Sequence, residues 1–158
     1  MATYYLHTNN TSTKITVGPE PRGDLGSWDT FISVNAICEA LPPKYSQYWF
    51  PWSDVYRPPP PEVWYGALKT LHREQTFGRD IYLYCDTGEY RSPAVLGAYL
   101  SVYFTPYKVK SIVEAAEGEG PNPLKCWSRY CAECPGLLEW VAGIPGYPYP
   151  PMTQCKKS

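Results

Sequence analysis

A chain of 158 residues with 14 basic and 15 acidic side chains has a formal charge of −1 and no densely basic stretch, which excludes the electrostatic footprint of a nucleic-acid or anionic-membrane binder. Its length lets one domain, residues 1–158, bury roughly two thirds of its unfolded surface around its own core. No apolar run approaches the roughly 20 residues of a membrane span, and MATYYLHTNNTSTK lacks the charged-then-apolar pattern of an export signal, so a cytoplasmic chain with six reduced cysteines is expected.

The first strand signals are TKITVG (13–18) and DTFISVNAI (29–37), β-branched and aromatic runs bounded by glycine, proline or aspartate. SQYWF (46–50) is a third short strand. It runs into PWSDVYRPPPP, whose prolines forbid helix and central strand and make a rigid, partly polyproline loop. PEVWYGALKTLHRE then reads as a helix. Pro61 suits its first turn, Val63, Ala67, Leu68 and Leu71 share a face, and Gly78 ends the unit.

DIYLY (80–84) is a strand and SPAVLGAYLSVYF (92–104) a helix, with Ser92 fitting an N-cap and Pro93 the first helical position. YKVKSIVEAAEG forms another helix, placing Val109, Ile112, Val113 and Ala116 on one side and Gly118 past its end. NPLKCWSRYCAECPGLLEWVAG reads as one or two short helices within a helical part over 117–145, and 146–158 as an irregular tail. Strands interleaved with helices predict an α/β domain with helices on both faces of one sheet.

The strand–turn–helix around IYLYCDTGEYRSPAV carries the chemistry. A loop between a strand and a helix N-terminus directs successive backbone N–H groups at one point, where an anion is favoured. Gly88 permits a tight curl, and Arg91 offers a two-pronged fork to phosphate oxygens. Cys85 opens the loop, so its sulfur lies at the floor of the cradle, and such surroundings favour a thiolate. A thiolate beneath a bound phosphate is aligned for attack.

Cys85-x-x-Gly88-x-x-Arg91-Ser92 resembles the C-x5-R signature of the cysteine-dependent protein tyrosine phosphatases, with the small dual-specificity branch fitting best over about residues 14–116. The resemblance implies a three-layer α/β fold around a central, mostly parallel sheet of four to five strands. It implies Cys85 as nucleophile and Arg91, with the backbone amides of Asp86, Thr87, Gly88, Glu89 and Tyr90, as phosphate cradle. Ser92 would hydrogen-bond the sulfur. The family's acid lies about thirty residues before its cysteine, and Asp54 stands 31 positions before Cys85, after an aromatic strand and a proline. Asp54 would protonate the leaving oxygen and later take a proton from water.

Neither cofactor nor metal is implied, because arginine and amides neutralise the developing charge. The implied partner is a phosphorylated protein or peptide, with phosphate or another oxyanion held in the loop, and a monomer is expected. A non-hydrolysing phospho-binding module and a phosphatase for RNA 5′ ends or phosphoinositides are the alternatives. The family carries histidine where this chain has Tyr84. Asp86 and Glu89 are expected to point outward, since the cradle needs only their amides.

Asp24, Asp29 and Asp80 compete less well with Asp54, Asp80 standing at the far end of its strand. Cys126, Cys131, Cys134 and Cys155 imitate iron–sulfur or zinc spacing, but reduced thiols in a packed helical segment are the expectation. The aromatic run YSQYWFPWSDVY reads as loop packing before it reads as a phosphotyrosine-gripping wall.

Overall fold

The computed structural model describes residues 1–8 and 10–131, the side chain of Cys131 excepted. Strands β1 (Ala2–His7), β2 (Ser12–Gly18), β3 (Thr30–Ser33), β4 (Ser46–Trp49), β5 (Ile81–Tyr84) and β6 (Glu117–Gly118) form one sheet in the order β4-β3-β5-β2-β1-β6. The four strands from β4 to β2 run parallel, and β1 and β6 extend the edge antiparallel.

The sheet exceeds the expected four to five strands by its edge. β1 turns Ala2, Tyr4 and Leu6 inward and leaves Thr3 and Tyr5 half-buried, a period of two legible in ATYYLH. β6 follows because α3 (Pro106–Glu114) stops short of the expected boundary, which placed Gly118 just past the helix, and Glu117 and Gly118 pair with Thr3 and Ala2. The strand expected over 29–37 shortens to β3, after which Val34 N–H still reaches the carbonyl of Tyr84 at 3.0 Å.

Helices α1 (Pro61–Thr76), α2 (Arg91–Tyr103), α3 and α4 (Pro123–Cys131) complete the described chain. Pro61 occupies the first turn of α1 as its fixed φ allows. The helix ends in a Schellman motif: Gly78, at φ +71°, donates to Gln75, and Arg79 donates to Glu74. α4 accounts for the first part of the helical segment expected after 117. The remainder of that segment and the tail lie outside the described residues.

One sheet face, with Leu6, Ile15, Val17, Ile32, Ile81 and Leu83, forms a continuous core with residues from all four helices. The other face carries Phe31, Tyr82 and Tyr84 under Leu25, Trp28, Leu41 and Tyr45. The third layer is thus made by loops among the described residues, where helices were expected on both faces. PEPRGDLGS, with Gly23 and Gly26 at positive φ, has the composition of a turn-rich strap. Its Trp28 seals the face edge-on against Tyr82, ring centroids 4.8 Å apart.

The approach to β5 is locked by Glu74, which is fully buried. Its carboxylate accepts from Arg79 Nη1 at 2.7 Å and from Thr30 Oγ1 at 2.9 Å, tying the end of α1 to β3 and β5. Glu74→Ala leaves the buried Thr30 hydroxyl without this acceptor and is expected to cost about 2 kcal/mol, measured as a lowered urea midpoint at unchanged slope.

Among the described residues no helix is long and apolar enough to cross a membrane. Cys85 and Cys126 are free thiols, whereas Cys38 is disulfide-bonded. The expectation of reduced cysteines therefore fails at Cys38: pairing follows from which sulfurs the fold brings together, which linear spacing does not disclose.

Candidate active site

β5 delivers its last residue, Tyr84, to the end of the sheet, and α2 begins at Arg91, so residues 85–90 form the turn between them. Cys85 is buried at 1% exposure. Its Sγ accepts the Gly88 N–H at 3.2 Å and lies 3.2 Å from Ser92 Oγ. The main chain therefore curls back over the sulfur at the positive end of a 13-residue helix.

Gly88 is required on two counts. Its φ is +74°, and a Cβ there would stand 2.6 Å from the Gly18 carbonyl carbon and 2.8 Å from Pro19 N. Gly88→Ala should distort the curl, lower stability by about 1–3 kcal/mol and weaken oxyanion binding at least about tenfold, the equivalent of about 1.4 kcal/mol. Urea titration and calorimetry with phosphate check the pair of effects.

Ser92 is not the N-cap. That position falls to Tyr90, whose side chain makes no capping bond, and Ser92 is the second helical residue, fully buried. The helix starts two residues earlier than its serine suggests because the loop already turns at Arg91, and the hydroxyl faces the sulfur instead of the helix amides.

Arg91 is half-buried, and its Nη1 donates to the carbonyl of Trp52 at 2.8 Å. A guanidinium has five N–H donors, and this bond uses one. Trp52, 1% exposed, organises residues 52–57: its Nε1 lies 2.8 Å from the carbonyls of both Asp54 and Arg57. Its ring packs against Trp64 and Tyr130, centroids 5.3 and 4.8 Å away. Tyr130 Oη donates to the Val55 carbonyl at 2.6 Å.

Asp54 sits on the solvent side of this anchored turn. Its Oδ1 accepts the Tyr56 N–H at 3.0 Å, and Oδ2 lies 3.8 Å from Arg57 Nε. The fold thus gathers Cys85, Gly88, Arg91 and Ser92 in one turn and couples the Asp54 loop to it through Arg91 and Trp52. The carboxylate's partners are those of its own loop.

The side chains of Asp86, Thr87, Glu89 and Tyr90 are exposed. Thr87 Oγ1 accepts the Glu89 N–H at 3.3 Å, and the Asp86 carbonyl accepts the Glu20 N–H at 3.3 Å. α4 backs the loop: Cys126 Sγ approaches the Glu89 carbonyl at 3.7 Å, and Arg129 lies over the Tyr90 ring at 5.3 Å. Burial pushes the Cys126 thiol above its ordinary pKa, with Cys85 adding to the rise and Arg129 opposing it.

Tyr84 belongs to the loop-covered face, away from the helices that pack around Cys85. Its hydroxyl accepts from Gln47 Nε2 at 2.9 Å. Burial raises its phenol pKa, while the hydrogen bonds to Gln47 and Ser33 oppose the rise.

The competing aspartates serve turns and strand ends. Asp80 and Asp29 lock together before β5, at the end of the strand opposite Cys85. Asp24 closes a local turn onto Gly26. The aromatic run after Lys44 mostly packs, as expected: Tyr45 meets Phe31 edge-on and Trp49 Nε1 holds the Asn35 carbonyl, although Tyr56 is exposed. Among the described residues no His, Cys, Asp and Glu group could hold a metal ion. Cys134, Cys155 and the Cys131 side chain lie outside them.

Sequence reasoning missed two supports of the site. Trp52 had a signal, an aromatic two residues before the proposed acid. Tyr130 had none, because its partner Val55 is 75 residues away.

No family model and no curated protein matches the chain in sequence. Solved structures do match in shape. Human DUSP28 is 15% identical, with 81% of this chain and 90% of that one aligned at a TM-score of 0.56. OH1 from the Orf virus, described as a tyrosine phosphatase, is 16% identical over 87% of this chain and 86% of its own, also at 0.56. PTPMT1, solved in complex with PI(5)P, is 13% identical over 87% and 96%, at 0.54. These likenesses show one architecture, the fold of the cysteine-dependent tyrosine and dual-specificity phosphatases.

Proposed function

We propose that the chain hydrolyses phosphomonoesters through a phosphocysteine, acting on phosphotyrosine in proteins and on phosphoserine or phosphothreonine in a shallow pocket. The carrying observation is the convergence on Cys85 Sγ of the Gly88 N–H and the Ser92 hydroxyl, each at 3.2 Å, under a loop closed by Arg91. In the first step the sulfur attacks phosphorus, an S–P bond forms and the P–O bond to the substrate breaks. Asp54 gives its proton to the departing oxygen. In the second step water attacks, Asp54 takes a proton from it, and the sulfur leaves as thiolate, held by Ser92 and Gly88. Arg91 and the loop amides carry the charge of the transferring group, the part that metal ions play in other phosphoryl transfers.

The test is release of phosphate from an aryl phosphate with EDTA present, blocked by orthovanadate. A second reading, a phospho-binding module without turnover, draws on Tyr84, which stands where the family carries histidine and belongs to the loop-covered face, while Glu20, Glu39 and Asp86, around the same cavity as Arg91, weigh against highly anionic ligands under either reading. Tight phosphopeptide binding with no phosphate released would establish that reading instead. The PTPMT1 complex makes phosphoinositide vesicles a necessary arm of the substrate panel, and the same three carboxylates predict that they rank low.

A further inference from the structure

Tyr84 immediately precedes Cys85, yet its phenol has no part in the chemistry described above. It is tied to the loop after β3. Gln47 of β4 donates from Nε2 to Tyr84 Oη and to the Glu39 carbonyl, each at 2.9 Å, and its Oε1 accepts the Leu41 N–H at 2.9 Å. An amide side chain has two N–H donors and one acceptor oxygen. Gln47 therefore uses both donors and its oxygen in joining Tyr84 to residues 39–41.

The other end of this loop is pinned as well. The Val34 N–H reaches the Tyr84 carbonyl at 3.0 Å, the Asn35 N–H reaches Ser33 Oγ at 3.2 Å, and Trp49 Nε1 holds the Asn35 carbonyl at 2.7 Å. Asn35 and Cys38 are buried, and Ala36 and Ile37 between them are exposed. Ile37, 78% exposed, is thus a large apolar side chain held outward by a short span fixed on both sides.

That span borders the phosphate site. Ser33 and Tyr84 are register partners in the parallel pair β3 and β5, so the loop after β3 and the loop of Cys85 leave the sheet side by side. Asn35, Ala36, Ile37 and Glu39 line a cavity of about 330 Å³ together with Arg91. A phosphoryl group on Arg91 would leave the rest of its ester at this wall.

We propose that residues 35–39 form a substrate wall in which Ile37 meets an apolar side chain next to the phosphorylated residue, with Tyr84 and Gln47 as the positioning residues that hold the wall in place. This rests on the phosphatase reading above and names a feature of its substrates. Contact between two apolar side chains removes both from water, which favours a peptide with leucine there over one with serine. A wall fixed in advance loses little freedom when the peptide arrives.

The experiment measures kcat and KM, with the Cys38 disulfide intact, on nitrophenyl phosphate and on two phosphotyrosyl peptides that carry leucine or serine on both sides of the phosphotyrosine. The leucine peptide is expected to be favoured about fivefold in kcat/KM. Ile37→Ser should bring that ratio below about twofold and leave nitrophenyl phosphate, which has no flanking residue, unchanged. Gln47→Leu keeps the size of the side chain and removes its hydrogen bonds. It should erase the same preference through KM, with nitrophenyl phosphate turnover within about twofold of the original. The double variant should lose nothing further, because both substitutions act through one contact. Where Gln47→Leu lowers the urea midpoint, Tyr84→Phe, which removes one hydroxyl and keeps the ring, takes its place with the same expected direction. Absence of a leucine preference, a preference that survives Ile37→Ser, or an equal fall on all three substrates in the Gln47 and Tyr84 variants overturns the proposal. If the unaltered protein hydrolyses none of the three, the phosphatase reading fails by itself. The dissociation constants of the two peptides, compared across the same variants, then decide the wall with the same outcomes.

Discussion

Cys85→Ser is expected to abolish phosphate release, by on the order of 10⁴-fold or more, while leaving oxyanion binding within a few-fold of the original. The substitution exchanges sulfur for oxygen at a site where the atom is buried, accepts the Gly88 N–H and faces Ser92. A serine oxygen can take the same hydrogen bonds, so the curl and the cradle should persist. What is lost is the nucleophile, because an alcohol is far harder to ionise than a thiol. Calorimetry with phosphate or a phosphopeptide reports the cradle, and turnover of an aryl phosphate reports the attack. Loss of both with a lowered urea midpoint would indicate a collapsed loop. Turnover retained at the original rate removes Cys85 from the mechanism.

The parts of the fold that were legible are those with short-range chemistry. β2, β4, β5 and α1 follow from β-branched runs, helical spacing and proline or glycine at their ends, and the Gly78 terminus is a left-handed residue where only glycine sits easily. The loop from Cys85 to Arg91 was legible because each residue's chemistry implies the same curl. Two outcomes were decided elsewhere. Ser92 satisfies the N-cap preference in isolation but lies within the helix, since the sulfur seven residues back in sequence captures its hydroxyl. The sheet's second face was expected to carry helices, and its cover comes from a glycine- and proline-rich strap ending at Trp28 and from Leu41 and Tyr45 in the loop before β4. Both depend on long-range packing that no local pattern encodes. The coupling of Arg91 to Trp52 belongs with these: 39 residues separate donor and acceptor, and the contact exists only because β5 and the loop after β4 end at the same edge.

That coupling frames the second large effect, Asp54→Asn. On a substrate with a poor leaving group, such as phenyl phosphate or a phosphotyrosyl peptide, the variant is expected to lose about 10²–10⁴ in kcat, because the departing oxygen no longer receives a proton as its bond to phosphorus breaks. On nitrophenyl phosphate, whose leaving group is stable as an anion, the loss should be far smaller. Asparagine keeps an acceptor for the Tyr56 N–H, and the turn is held independently by Trp52 and by Tyr130 on the Val55 carbonyl, so the loop should keep its shape. An equal loss on both leaving groups would mean that Asp54 only shapes the turn and that the proton comes from another group. Either outcome is read on a loop of fixed position: Arg91 grips the carbonyl of Trp52, two residues before Asp54, so the residue that would hold the phosphoryl oxygens also fixes the loop that carries Asp54.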